Sequence, residues 1–140
     1  MLSKMNETSC DIVIASRYRG GSSIDGLSIF RQVMSLGARA LFQLSFPIKN
    51  VLDYTCGYRL YKLSAIKRAF EVYGIEFCSR PGFDCCVDII LRLAKLGCKF
   101  QEVPFQLSYG EKKGNSHMRV FRTTANTIGL LLSRRFCLSK

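Results

Sequence analysis

The chain has no G-x-x-x-x-G-K-[ST] loop, no G-x-G-x-x-G turn and no G-x-S-x-G elbow. The phosphate cradle of nucleotide hydrolases, the dinucleotide fingerprint and the strained serine nucleophile are therefore absent as motifs. No D-x-D pair occurs either, so there is no metal motif of the kind that holds a nucleotide diphosphate. C-x-x-C is missing and His117 is the single histidine, which leaves no zinc-ligand spacing. The seven cysteines, an odd number with Cys85 and Cys86 adjacent, read as small buried hydrophobes in a reducing compartment. No apolar run approaches the length of a bilayer span, and the opening MLSKMNETSCD is too polar for a signal peptide. The expectation is a cytoplasmic chain, peripheral to the inner face of any membrane it touches.

What is present is enough for one domain. The 140 residues are 48% hydrophobic and 22% charged, a globular balance. Lysine and arginine outnumber aspartate and glutamate 21 to 10, a net charge of +11. Such an excess favours anionic partners: phosphate-bearing substrates, anionic lipid surfaces or nucleic acid.

Local patterns alternate. DIVIAS (11–16) fits a buried parallel strand, and RYRGGSSIDGL (17–27) a Gly/Ser-rich cationic loop. Ser28 suits the cap of a helix over about 28–46, with Phe30, Val33, Met34, Leu41 and Leu44 as its core side and Pro47 as its stop. Residues 50–63 read as a turn and a tyrosine-bearing strand, and 64–74 as a short helix capped by Ser64. A helix over 84–97, capped by Asp84 and stopped by Gly97, follows the loop 79–83. A strand over 98–109 comes next, where Pro104 marks an edge or a bend. The charged loop 110–117 and a basic amphipathic helix at about 118–136 complete the chain. The class is α/β.

Four stretches carry candidate chemistry. Arg17 and Arg19 leave the end of the first strand, where open α/β sheets bind ligands, and Arg31, Ser35 and Arg39 recur every four residues along the next helix. Guanidinium forks match phosphate oxygens, although a solvated basic loop is the plainer alternative. In DYTCGYRLYK, Asp53 suits a pocket rim and Arg59 either a partner for Asp53 or a phosphate ligand; a structural Asp–Arg pair is the alternative. Lys112 and Lys113 beside Gly114 suit a mobile flap over a charged ligand, or an ordinary surface hairpin. The terminal helix suits either a core or a membrane interface.

In order, DIVIASRYRGG, FRQVMSLGARALF, LDYTCGYRLYK and CKFQEVPFQLSYGEKKGNSHM with the basic terminal helix resemble the family 2 glycosyltransferases. The nearest group is that of the dolichyl- and polyprenyl-phosphate sugar transferases, such as the dolichol-phosphate mannosyltransferases. The resemblance runs from Asp11 to about Arg135. It implies a GT-A (Rossmann-like) fold and transfer of a sugar from a nucleotide-sugar to a lipid phosphate in cell envelope glycan synthesis. It places the lipid phosphate on Arg17, Arg31 and Ser35. Asp53, a catalytic candidate, and Arg59 fall on the acceptor side. The loop holding Lys112, Lys113, Ser116 and His117 closes on the donor; the family usually has lysine where this chain has His117.

The family's N-terminal nucleotide-binding half, ending in its D-x-D motif, has no counterpart here. The expectation is therefore an incomplete GT-A domain, residues 1–140 forming its C-terminal, acceptor-side part. It is inactive alone. The divalent cation (Mg or Mn) of the complete enzyme finds no ligands in this chain. The implied partners are a nucleotide-sugar donor, a lipid-phosphate acceptor, a membrane surface and either the missing half or a membrane partner protein, with no nucleic acid. Without that half, the strand at 11–16 is expected to leave an open edge and a bare apolar face. The alternative function is a non-catalytic basic module for anionic membrane or nucleic acid, with Tyr54, Tyr58 and Tyr61 beside Arg59 and Lys62 as a faint aromatic–basic platform.

Overall fold

In a computed structural model of the chain, the described residues are 1–25, 29–79 and 84–108. Ser28, the loop 110–117 and the helix expected at 118–136 lie outside them, as does most of the loop 79–83. The order is α1 (Leu2–Thr8), β1 (Ile12–Ser16), β2 (Ser23–Asp25), α2 (Ile29–Ser45), β3 (Arg59–Tyr61) and α3 (Leu63–Tyr73). A 3-10 turn (Gly74–Cys78), α4 (Asp84–Lys95), β4 (Phe100–Pro104) and β5 (Gln106–Ser108) follow. The class is mixed α/β: a three-stranded mixed sheet ordered β3-β1-β4 and a two-stranded parallel pair β2-β5.

β1 is the centre of the molecule. Its five residues, Ile-Val-Ile-Ala-Ser, are all buried, the pattern of a parallel strand covered on both faces. It pairs antiparallel with β3 (Val13 opposite Leu60) and parallel with β4 (Ile14 opposite Glu102). The expected open edge is therefore not found, because strands later in the chain fold back onto both sides of β1. Nor is a face bare. Ile12 and Ile14 enter a core with Phe42, Tyr54, Val87, Ile90, Leu93 and Phe100. Val13, on the opposite face, packs with Met5 and Cys10 under α1, a helix that the polar opening sequence did not announce.

β1 continues into β2, and β4 into β5, but by unequal routes. β4, which carries Pro104, is an outer strand of the described three-stranded sheet, and Phe105 alone separates it from β5, whereas residues 17–22 separate β1 from β2. Those six residues form an outward excursion from an otherwise parallel ladder. Its neck is closed by Ser22, whose hydroxyl donates to the Ser16 carbonyl at 2.7 Å and accepts from the Phe105 N–H at 3.2 Å. The return needs a left-handed residue, supplied by Gly21 at φ 90°, against Pro104.

α2 ends where Pro47 requires, but its core side differs from the expected one. Phe42 is fully buried and stacks on Tyr54 at 5.4 Å, with Ala38 and Phe46 beside it. Phe30, Val33, Leu41 and Leu44 are exposed instead, Leu44 by 83%. The helix carries apolar residues on two sides, so periodicity alone does not say which one meets the sheet. α3 also differs in its cap. Lys62, in extended conformation, holds the N-cap position and Ser64 lies inside the helix. β3 runs directly into α3, so Lys62 serves both: its N–H donates to the Asp11 carbonyl, and its own carbonyl accepts from Ala65.

The corrected face of α2 has a direct test. Phe42→Ala should cost about 3–5 kcal/mol, whereas Leu44→Ala should stay within about 0.5 kcal/mol of the parent. Urea unfolding followed by circular dichroism measures both, and the reverse order would restore the face expected from the sequence.

Candidate functional site

The excursion at 17–22 opens at the carboxyl end of β1, and two buried carboxylates hold it there. Arg17 donates from Nε to Asp53 Oδ2 and from Nη2 to Asp53 Oδ1, each at 2.8 Å, a bidentate fork. The Arg17 backbone N–H adds a third bond to Oδ2 at 3.1 Å. Asp53 also accepts from the Cys56 N–H at 3.0 Å and from the N–H and hydroxyl of Thr55, so its own turn closes around it. Thr55 Oγ1 accepts from Arg17 Nη2 at 2.6 Å.

Glu102, on β4, forms the second anchor. Its Oε1 accepts from the N–H groups of Leu52 (2.6 Å) and Asp53 (2.8 Å). Its Oε2 accepts from Arg19 Nε at 3.0 Å. One carboxylate thus fixes the segment that carries the other, and each holds one arginine of the same loop.

Asp53 is completely buried and the Arg17 side chain is half-buried, with 17% of it exposed. Burial alone would raise the Asp53 carboxyl, but the bonds and charge of Arg17, with the N–H groups of Arg17 and Cys56, outweigh it and hold the pKa below 3.8. Burial opposes the charge on Arg17 as well, and Asp53 more than reverses that, so the guanidinium is held still more firmly protonated. Asp53 therefore faces inward as an anchor rather than standing at a pocket rim.

Beyond the pair lies Tyr18. Its hydroxyl donates to the Ser35 carbonyl at 3.1 Å and is in hydrogen-bond contact with the Ser35 hydroxyl. The guanidinium carbons of Arg39 and Arg17 lie 4.8 and 5.6 Å from its ring centroid, within cation–π range. Ser35 and Arg39 are one turn apart on α2, as the four-residue spacing predicts, and Tyr18 joins that helix to the loop.

The expected site residues thus divide. Arg17, Ser35 and Arg39 gather around Tyr18. Arg31 lies on α2 one turn before Ser35, and its side chain is outside the described ones. Arg59 does not pair with Asp53; it donates to the carbonyls of Cys86 (2.6 Å) and Tyr54 (2.9 Å), bracing the turn against α4. Lys112, Lys113, Ser116 and His117 lie outside the described residues. Glu102 escaped the sequence reading because an acid inside an alternating strand resembles any solvent-facing position. Its burial arises only once residues 50–53 fold over it.

Of the expected aromatic platform, Tyr54 is withdrawn into the core, while Tyr58 is exposed and stacks on Phe105 at 5.6 Å. Among the described residues no group of three or more His, Cys, Asp or Glu is placed to hold a metal. Asp53 and Glu102 are already saturated by guanidinium and N–H donors, an environment that repels a cation. The implied divalent cation does not fit these residues. Burial pushes the Cys56 thiol up, which keeps it neutral and a poor nucleophile. A cleft of about 290 Å³ between Phe46, Pro47, Ile48, Leu91 and Ala94 includes none of the loop arginines. Among the described residues no helix is long and apolar enough to cross a membrane. No protein-family model matches the chain.

Asp53→Asn should cost about 2–4 kcal/mol at neutral pH, because it leaves the half-buried Arg17 charge without its carboxylate. The folded-state pKa of Asp53 is lowered, so its contribution is present above 3.8 and disappears as pH falls through the lowered value. Denaturant unfolding of parent and variant should therefore differ widely at neutral pH and converge in strong acid. A gap that is absent at neutral pH, or unchanged in acid, would contradict the anchor.

Proposed function

We propose that this chain forms the acceptor side of a GT-A, family 2 glycosyltransferase that moves a sugar from a nucleotide-sugar to a polyprenyl or dolichyl phosphate, and that it transfers no sugar on its own. The observation that supports this reading is one juxtaposition. Ser35, Tyr18 and Arg39 make a cationic, hydroxyl-bearing corner at the carboxyl end of the central strand. The same helix exposes Ile29, Phe30, Val33, Leu36 and Leu44 on its other side. A ligand with a phosphate head and a long apolar tail matches both features: the guanidinium and hydroxyl suit phosphate oxygens, and the exposed apolar stripe is unfavourable in water unless something apolar covers it. The motif order seen in the sequence supplies the reaction class. In this reading the Arg17–Asp53 pair is the rigid wall of the acceptor pocket.

A second reading rests on the same helix and on the net charge of +11: a non-catalytic module for anionic membranes. Flotation of the purified chain separates the two. Phosphatidylcholine vesicles carrying polyprenyl monophosphate should retain the chain well above both plain phosphatidylcholine and phosphatidylserine-containing vesicles of equal surface charge. Ser35→Ala should weaken the retention about threefold, the loss of one hydrogen bond. Equal retention by phosphatidylserine would favour the membrane module. Sugar transfer by the purified 140 residues alone, with no second polypeptide, would overturn the acceptor-side assignment.

A further inference from the structure

The arginines of the loop are the obvious anion ligands by sequence, but their charges are already matched. Arg17 gives Nε and Nη2 to Asp53, and Arg19 gives Nε to Glu102 and Nη2 to the Asn50 carbonyl at 3.3 Å. Arg39 differs. Among the described residues it has no carboxylate partner, and its half-buried side chain holds a buried Nε with no hydrogen-bond partner. A buried donor left unmade is destabilising. Arg59 Nε is in the same state, but its terminal nitrogens are taken by the Cys86 and Tyr54 carbonyls, whereas Arg39 stands against an aromatic ring and a hydroxyl. Its guanidinium is held over the Tyr18 ring at 4.8 Å, one turn from the Ser35 hydroxyl.

We propose that Arg39, rather than Arg17, is the guanidinium that binds the phosphate monoester at this site, with Ser35 as its hydroxyl partner and Tyr18 as the residue that positions both. This rests on the acceptor-phosphate reading above and names the groups that carry it. The ring of Tyr18 holds the Arg39 guanidinium against it by a cation–π contact. Its phenol provides a local rearrangement: when the Ser35 proton turns to a phosphate oxygen, the Tyr18 proton turns from the Ser35 carbonyl to Ser35 Oγ. Two hydrogen bonds are exchanged, no proton is transferred and no charge changes. The neutralised pairs Arg17–Asp53 and Arg19–Glu102 act as scaffold, so the uncompensated positive charge of this corner stands on α2.

The test titrates the full chain with inorganic phosphate, followed by NMR, and in parallel floats it with phosphatidylcholine vesicles carrying polyprenyl monophosphate. Arg39→Gln should weaken both about tenfold, the usual loss for a charge-assisted bond. Arg39→Lys, which keeps charge but not the fork, should fall between. Tyr18→Phe keeps the ring and should weaken binding about threefold, through Ser35 alone. Lys67→Gln, an exposed position on α3, controls for net charge, and near-identical circular dichroism spectra control for folding.

The outcomes separate this proposal from the reading beneath it. Parent-like binding by Arg39→Gln, or a loss no greater than that of Lys67→Gln, overturns the assignment even where the parent prefers polyprenyl phosphate. Loss of inorganic phosphate binding in Arg39→Gln, with no preference of the parent for the lipid, sustains the Arg39 site and removes the lipid acceptor. Absence of binding by the parent in both arms overturns both.

Discussion

The buried fork between Arg17 and Asp53 is the constraint on which this end of the molecule depends. A parallel strand delivers its carboxyl end to one edge of the sheet, and here the chain leaves it for six residues before pairing resumes. An excursion of that length, rich in serine and glycine, has no packing of its own to define it. Three bonds from Arg17 to one carboxylate, one of them from the backbone, define its first step. Desolvating two charges is costly, and the geometry compensates only because nearly every acceptor position of Asp53 is filled. The pair therefore specifies conformation more than it adds stability. Glu102 extends the same logic, holding Arg19 and the segment of Asp53 from a neighbouring strand. The result is a rigid cationic loop whose two leading charges are internally balanced.

Much of this was legible in the sequence, for identifiable reasons. An unbroken apolar run of four, Ile12 to Ala15, between Asp11 and Ser16 pointed to β1 as a doubly covered strand. Gly97, Gly74 and Pro47 marked the ends of helices through backbone sterics, which act locally. The four-residue spacing of Ser35 and Arg39 placed them on one face. What was not legible is long-range. That β3 and β4 flank β1, that α1 covers Val13, and that Arg17 rather than Arg59 meets Asp53 are consequences of topology, with partners 36 residues apart in the last case. The inner face of α2 failed for a different reason. The apolar stripe of Phe30, Val33 and Leu44 is as regular as a core stripe, and only the position of Tyr54 decides that Phe42 turns inward.

That misassigned stripe bears on function. A helix of a small domain ordinarily buries its apolar side and presents charge to water. α2 inverts this over its first half. Ser35 and Arg39 turn towards the arginine loop, while Ile29, Val33 and Leu36 are exposed by half or more. The inward polar side is stabilised by Tyr18, so the inversion is built into the packing rather than left over from it. An outward apolar stripe of this kind weakens solubility and contributes nothing to the core, and it is favourable only where something apolar covers it. In the proposed function, a phosphate carried on a long isoprenoid chain would satisfy both sides of one helix at once, its head at Arg39 and its tail along the exposed stripe. A soluble phosphate satisfies only the first, whereas an unspecific anionic surface draws on the net charge and covers the apolar stripe but has no use for a tyrosine that orients a single serine. The orientation of Ser35 by Tyr18 is thus the detail that favours a defined phosphate monoester over diffuse electrostatic attraction.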